Sequence, residues 1–282
     1  MLKKLTILLI IVLTCSACGS LNAPETKPLQ PDTPPNADAN IARPSAEEAN
    51  MLNSINTAIS RFDGKTGIYA QNLRTEKSLG VNDDMVFPTA STHKLVVALA
   101  VYKYLYNDAS VEKKKQYDRN IKAMMVVSDN PAFFRLLEEV KTTKPAALTQ
   151  VLNDLQLKKT RIHSDEAFSH YGYHSVTTPF EMAVVFKTIY DENYLGKEKS
   201  AILKEELANT IFKDELPRFM QNNKVLHKIG ELPGMMCDVG IVDDGKDIIL
   251  ISVFTTTQRP STHASNFIAD LSAKAYNALR TK

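Results

Sequence analysis

The alternation of apolar and polar positions divides this chain into strand-like pieces near its two ends and helix-like pieces between them. Ser45-Ala46-Glu47-Glu48 has the form of a capping box, and Leu52, Ile55 and Ile59 follow at helical spacing, so a helix opens the folded part. Residues 67–73 and 78–81 read as two short strands joined by the polar turn Arg74-Thr75-Glu76. The run 95–102 is apolar without interruption and follows Thr89, a residue suited to an N-cap, which predicts a helix buried on all sides. Helical periodicity continues over 121–127, 131–140 and 180–190, around a polar irregular stretch at 164–178. Strand signals return at 225–229, 235–242 and 248–254, the last two joined by Asp243-Asp244-Gly245. A closing helix puts Phe267, Ile268, Leu271, Ala275 and Leu279 on one face. The simplest packing is α+β: residues 45–90 and 213–282 form an antiparallel sheet flanked by the N- and C-terminal helices, and 91–212 form an all-helical lobe. A site then falls between the lobes.

Residues 1–44 depart from this pattern. Lys3 and Lys4 precede an apolar run, 5–13, too short to span a bilayer, so 1–18 read as an export signal. Cys15-Ser16-Ala17-Cys18-Gly19-Ser20 resembles a bacterial lipobox, with Cys18 as the lipidated residue because small residues precede it; a plain secretory signal is the alternative. Residues 19–44, with Pro24, Pro28, Pro31, Pro34, Pro35 and Pro44, read as a tether. The expected location is therefore outside the cytoplasm, on the outer face of a bacterial cell membrane, held by the lipid at Cys18. Cleavage there leaves Cys237 as the one thiol, within a strand, where a buried small hydrophobe is its expected role. Among the 282 residues, 34 basic and 32 acidic side chains give a net charge of +2, which leaves no electrostatic footprint for nucleic acid. The 44% hydrophobic content suits one globular domain, 45–282, expected as a monomer.

Three short motifs could carry chemistry. Ser91-Thr92-His93-Lys94 opens the apolar helix, and a spacing of three sets Ser91 and Lys94 on one face. A lysine desolvated there loses proton affinity and can serve as base for a serine nucleophile. Ser128-Asp129-Asn130 falls in a short loop between helical patterns, just before Pro131. His227-Lys228-Ile229-Gly230 ends a strand, where Lys228 could project into a cleft and Gly230 would allow close backbone approach. Alone, each has a plainer reading: a helix start with a solvated lysine, a turn, and an edge-strand lysine.

In this order the three motifs resemble those of the class A serine β-lactamases and related penicillin-binding proteins. The flanking Phe87-Pro88-Thr89-Ala90 and Met125-Val126-Val127 are similar as well. The resemblance covers residues 45–282. It implies that Ser91 is acylated, that Lys94 acts in its deprotonation, and that Ser128 relays a proton to the leaving nitrogen. It further implies that Asn130 holds the substrate amide and Lys94, that Lys228 supplies positive potential, and that the backbone N–H groups of Ser91 and Glu231, beside Gly230, form an oxyanion hole. No cofactor or metal is implied.

Thr160-Arg161-Ile162 resembles the segment that leads into the family's deacylation loop, which makes Glu166 the candidate base for the second step. His170 stands where that loop has an asparagine, Ile229 where the family has Thr or Ser, and Cys237-Asp238 where an arginine is expected. The activity implied is hydrolysis of a β-lactam amide through an acyl-enzyme at Ser91. A cell-wall D,D-peptidase or esterase acting on peptidoglycan-like peptides, with slow release of β-lactams, is the alternative, and a non-catalytic tethered binding module is another. His163, His170 and His174 invite a zinc reading, but their spacing matches no closed ligand set and Gly172 interrupts a shared helix face, so they read as surface-loop histidines.

Overall fold

The computed structural model describes residues 46–281, with side chains from residue 50; Cys18, the tether and Ser45 lie outside them. The described residues begin with α1 (Ala46–Arg61), then the hairpin β1 (Lys65–Asn72) and β2 (Ser78–Val81) and the two-residue β3 (Phe87–Pro88). The helical middle comprises α2 (His93–Ala100), α3 (Val111–Val126), α4 (Asn130–Thr143), α5 (Ala147–Asp154), α6 (Asp165–Tyr171), α7 (Pro179–Tyr190) and α8 (Lys197–Ala208). A two-residue strand, β4 (Val176–Thr177), lies between α6 and α7. Strands β5 (Lys224–Leu232), β6 (Met235–Asp243) and β7 (Ile248–Thr256) and helix α9 (Ser261–Leu279) complete it.

The five long strands form one antiparallel sheet in the order β2-β1-β7-β6-β5, so both ends of the chain share one layer, as the strand signals imply. Alternation assigns each residue to a face. Ile68 and Ala70 of β1, Met236 and Val242 of β6, and Ile249, Ile251 and Val253 of β7 pack with α9 and with Ile55 of α1. Leu226 of β5, Cys237, Val239 and Ile241 of β6, and Leu250 and Phe254 of β7 join the core of the helical region. By the same parity Lys228 and Gly230 face the helices, while His227 and Ile229 face α9. Ile55 is fully buried and Ile59 packs beside it, whereas Leu52 is exposed, so α1 buries a narrower stripe than its spacing suggests.

Two local expectations change. Thr89 does not cap the buried helix: it heads a 3₁₀ turn, Ala90–Thr92, that precedes α2, and its side chain makes no capping bond. Its hydroxyl instead meets His93 Nδ1 at 3.2 Å and donates to Ser175 O at 3.3 Å. The helix runs on through a π-helical turn, Val101–Leu105. The stretch 164–178 is more ordered than its polarity suggests: Ser164 caps α6 through its hydroxyl, Gly172 closes it at φ 75°, and β4 pairs with β3. Hydrophobic periodicity is weak in so short a helix, and caps carry the signal instead.

Ile251 is fully buried at the centre of the sheet, paired with Ala70 and Gly240. Ile251→Ala is expected to lower unfolding free energy by about 3 kcal/mol, read from urea denaturation. A loss below about 1 kcal/mol would contradict this packing.

Candidate active site

All seven residues of α2 from Lys94 to Ala100 are buried, so the element bearing Ser91 and Lys94 is clamped from every side. Ser91 sits half-buried in the 3₁₀ turn, after Ala90, whose φ of 42° is unusual for a side chain with a Cβ. Lys94 is 1% exposed, and its Nζ donates to Ser128 O at 2.6 Å, to Ser128 Oγ at 3.2 Å and to Asn130 Oδ1 at 2.7 Å. Ser128 lies in the short connection between α3 and α4, where the motif was expected to form a loop, and Asn130 is the first residue of α4. Ser128 is left-handed at φ 55°, and Asp129 caps α4 by accepting from Ala132 N at 2.5 Å.

Lys228, also 1% exposed, reaches the same hydroxyl from β5: its Nζ donates to Ser128 Oγ at 3.0 Å and to Ile229 O at 2.7 Å. It is thus an interior amine, not an edge-strand charge. Gly230 completes the arrangement. A Cβ built on it would fall 2.9 Å from Ser91 N, 2.9 Å from Ala90 Cβ and 2.8 Å from Cys237 Sγ, so the backbone approaches here as closely as glycine permits. Glu231 follows in β5, exposed and paired with Met236.

Burial dominates the electrostatics. It lowers the Lys94 ammonium to about 8 against the opposing pull of Asp129. It lowers Lys228 to about 7, assisted by the charge of Lys94 and opposed by Asp238. Two neighbouring amines without a bonded carboxylate hold their protons weakly. Burial also pushes the Cys237 thiol up, which suits a packing role.

The structure brings Lys94, Ser128, Asn130 and Lys228 into one hydrogen-bonded group, with Ser91 N against Gly230. It does not bring Glu166 into that group. Glu166 is exposed in the first turn of α6 and lines a cavity of about 770 Å³ with Leu152, Asn153, Arg161 and His163. Ile229 is buried on the α9 face, away from Lys228, opposite Asp238. The loop histidines stack: His163 lies 6.2 Å from Phe133 and 6.1 Å from His174, and His174 lies 4.4 Å from Phe168.

Sequence reasoning missed several residues that shape this surrounding. Glu181 of α7 is buried, and its carboxylate accepts from Lys158 N, Lys159 N, Thr160 N and Thr160 Oγ1. It thereby ties the loop's entry to its exit. His93 stacks on Phe133 at 4.4 Å, and burial, with Lys94 next, lowers it to about 3, so it adds no charge beside Lys94. His227 is fully buried, with Nδ1 2.9 Å from Asp238 Oδ1 and Nε2 donating to Phe212 O at 3.0 Å. An acidic residue after Thr178-Pro179 signals a helix start, but no spacing rule says that it reaches back across twenty-one residues.

The sheet has α1 and α9 on one face and the helical region on the other, with the Ser-x-x-Lys turn between sheet and helices. A sequence model of the β-lactamase enzyme family matches residues 50–120 and 109–279, and this chain belongs to that family. Among solved structures it is similar to a β-lactamase from Sphaerobacter thermophilus, at 17% identity and TM-score 0.68, over 82% of this chain and 97% of that one. PBP-A is similar at 21% identity and TM-score 0.70, over 84% and 97%. A variant of PBP-A, described as an acyl-enzyme complex with penicillin G, is similar at 20% identity and TM-score 0.69, over 82% and 96%. No curated protein sequence matches this chain.

Gly230→Ala is expected to reduce any Ser91-dependent reaction at least about a hundredfold, because the methyl group must displace the Ser91 turn. Reaction rates together with a thermal melt test this. A full rate with an unchanged melting point would show that the close approach is dispensable.

Proposed function

We propose that this protein is a serine hydrolase that is acylated at Ser91 by β-lactam amides. The observation that carries the reading is the pair of buried amines on the Ser128 hydroxyl, one of them, Lys94, three residues after Ser91. In this reading neutral Lys94 takes the proton of Ser91 Oγ, which attacks the lactam carbonyl. The backbone N–H groups of Ser91 and Glu231 receive the oxyanion, and Asn130 receives the substrate amide. As the C–N bond breaks, the ring nitrogen takes the proton of Ser128 Oγ, and Lys94 passes to that hydroxyl the proton it took from Ser91, while Lys228 stays charged beside it. Water then hydrolyses the ester and frees Ser91.

A second reading concerns the release step. The exposed position of Glu166 supports slow hydrolysis of the ester, as in a D,D-peptidase or esterase that β-lactams acylate and leave slowly. Full-length protein incubated with labelled penicillin and a chromogenic cephalosporin separates the two. Persistent label that Ser91→Ala abolishes, with colour release unaffected by Glu166→Ala, supports acylation with slow release. Rapid turnover that Glu166→Ala converts to trapped label supports the efficient lactamase. Absence of both label and colour would sink acylation by β-lactams.

The amines also set a pH dependence. Lys94 must be neutral to accept a proton, so the rate of acylation rises with pH towards about 8. Lys228 must be charged to supply positive potential, so the rate falls as pH climbs through about 7. Apparent values belong to the coupled pair, and the expected kcat/KM profile is a bell with its maximum between the two. A profile flat from about pH 6 to 9 would contradict the assignment.

A further inference from the structure

Residues 210–216 cross the outer side of β5, the edge strand of the sheet, and are pinned on both of its faces. On the helical side Ile211 N donates to Val126 O at 3.1 Å and Thr210 Oγ1 donates to the same carbonyl at 3.3 Å. On the α9 side Leu216 N donates to Asp238 Oδ2 at 3.1 Å. Midway, Phe212 O accepts from the fully buried His227, whose other ring nitrogen is held by Asp238. The segment is therefore a fixed wall, not a loose connection.

The wall presents apolar side chains next to polar chemistry. Ile211 is 62% exposed, and Val127, the residue before Ser128, is 46% exposed. The Phe212 ring centroid lies 6.0 Å from Lys228 Nζ. The bond from Ile211 N to Val126 O sets the backbone of Ile211 against the residue before Val127, and Phe212, next in the chain, lies beside Lys228. Exposed side chains of this size are ordinary when scattered; here the exposed Val127 and Ile211 are tied through a fixed backbone contact, and the half-buried Phe212 continues them to Lys228.

We infer that Val127, Ile211 and Phe212 form a subsite for the leaving-group half of the substrate, and that it selects leaving groups carrying an apolar substituent. This rests on the acylation reading above. There, Ser128 protonates the ring nitrogen freed when the C–N bond breaks, so whatever flanks Ser128 and Lys228 meets the ring that bears this nitrogen, which stays tethered to the acyl-enzyme, and not the acyl side chain on the other side of the carbonyl. His227 is a positioning residue for this subsite, because it holds Phe212 by its carbonyl without touching the cleft.

Two cephalosporins that share one acyl side chain test the inference; on the leaving-group ring, one carries hydrogen and the other an apolar aryl substituent. Full-length protein should be acylated about tenfold faster, in kcat/KM, by the aryl compound, in line with what an apolar contact contributes to discrimination. Ile211→Ser should collapse that ratio towards one, with a melting curve to confirm folding, and His227→Gln should reduce the ratio through KM more than through kcat. Equal rates with the two compounds, or a ratio unchanged in Ile211→Ser, would overturn the subsite while leaving acylation at Ser91 intact. If neither compound labels Ser91, the acylation reading fails. Equilibrium binding of the two compounds to Ser91→Ala then decides the subsite, and equal affinities would overturn it.

Discussion

Two lysine amines buried within reach of one serine hydroxyl are the constraint on which the rest of this structure depends. Lys94 and Lys228 are each 1% exposed, and the acceptors bonded to them are neutral: Ser128, Asn130 Oδ1 and the carbonyl of Ile229. Asp129, which follows Ser128, turns its carboxylate to the first turn of α4 and not to either amine. Charge buried without a bonded counter-ion is unfavourable, and the molecule answers by weakening the hold on the protons. That arrangement persists only if the elements carrying the amines cannot move apart. The all-round burial of α2, the left-handed Ser128 and the nine-residue pairing of β5 with β6 meet this demand.

The parts of the site that lie within one element were legible in the sequence. Ser91 and Lys94 are related by helical geometry, and Asp129 with Pro131 announces the start of α4. Gly230 in a strand announces a close approach, and here it meets the Ser91 turn. The parts that join elements far apart were not. Nothing local tells that Lys228 is an interior donor to Ser128, one hundred residues away, or that Glu181 closes the loop at Thr160. A lysine reads as polar, so periodicity assigns it to solvent; only the fold shows that the sheet parity turns Lys228 inward and Ile229 towards α9. Thr89 illustrates the opposite error, because a residue suited to capping was drawn by its neighbours into bonds with His93 and Ser175.

The loop beyond the site is organised by different physics from the amines. Glu181 satisfies the backbone of 158–160, a buried carboxylate surrounded by N–H donors, and Thr160 Oγ1 meets Thr177 Oγ1 at 2.8 Å. These bonds close the neck of the loop. Between neck and tip, His163 on Phe133 and His174 on Phe168 hold the chain by stacking, and these contacts do not prescribe where an exposed carboxylate points. Glu166 accordingly follows the cap geometry of α6, begun at Ser164, and not the geometry of Ser91.

This division has a consequence for how the two halves of a hydrolytic cycle are supported. In the proposed cycle, forming an ester at Ser91 calls on groups fixed by helix burial and sheet pairing, where a displacement of an ångström is resisted by the core of the protein. In the same proposal, releasing it falls to the loop that carries Glu166, held by its neck, by Ser164 N on His174 O at 2.8 Å and by aromatic contacts. Reaction rates fall steeply with small misplacements, so the better-supported half is favoured even where both sets of residues are present. The wall of Val127, Ile211 and Phe212 belongs to the stiff half, since it is bonded to α3 on one side and to the His227–Asp238 pair on the other. In that proposal, selection among substrates resides in the step that breaks the amide, and the lifetime of the ester in the loop.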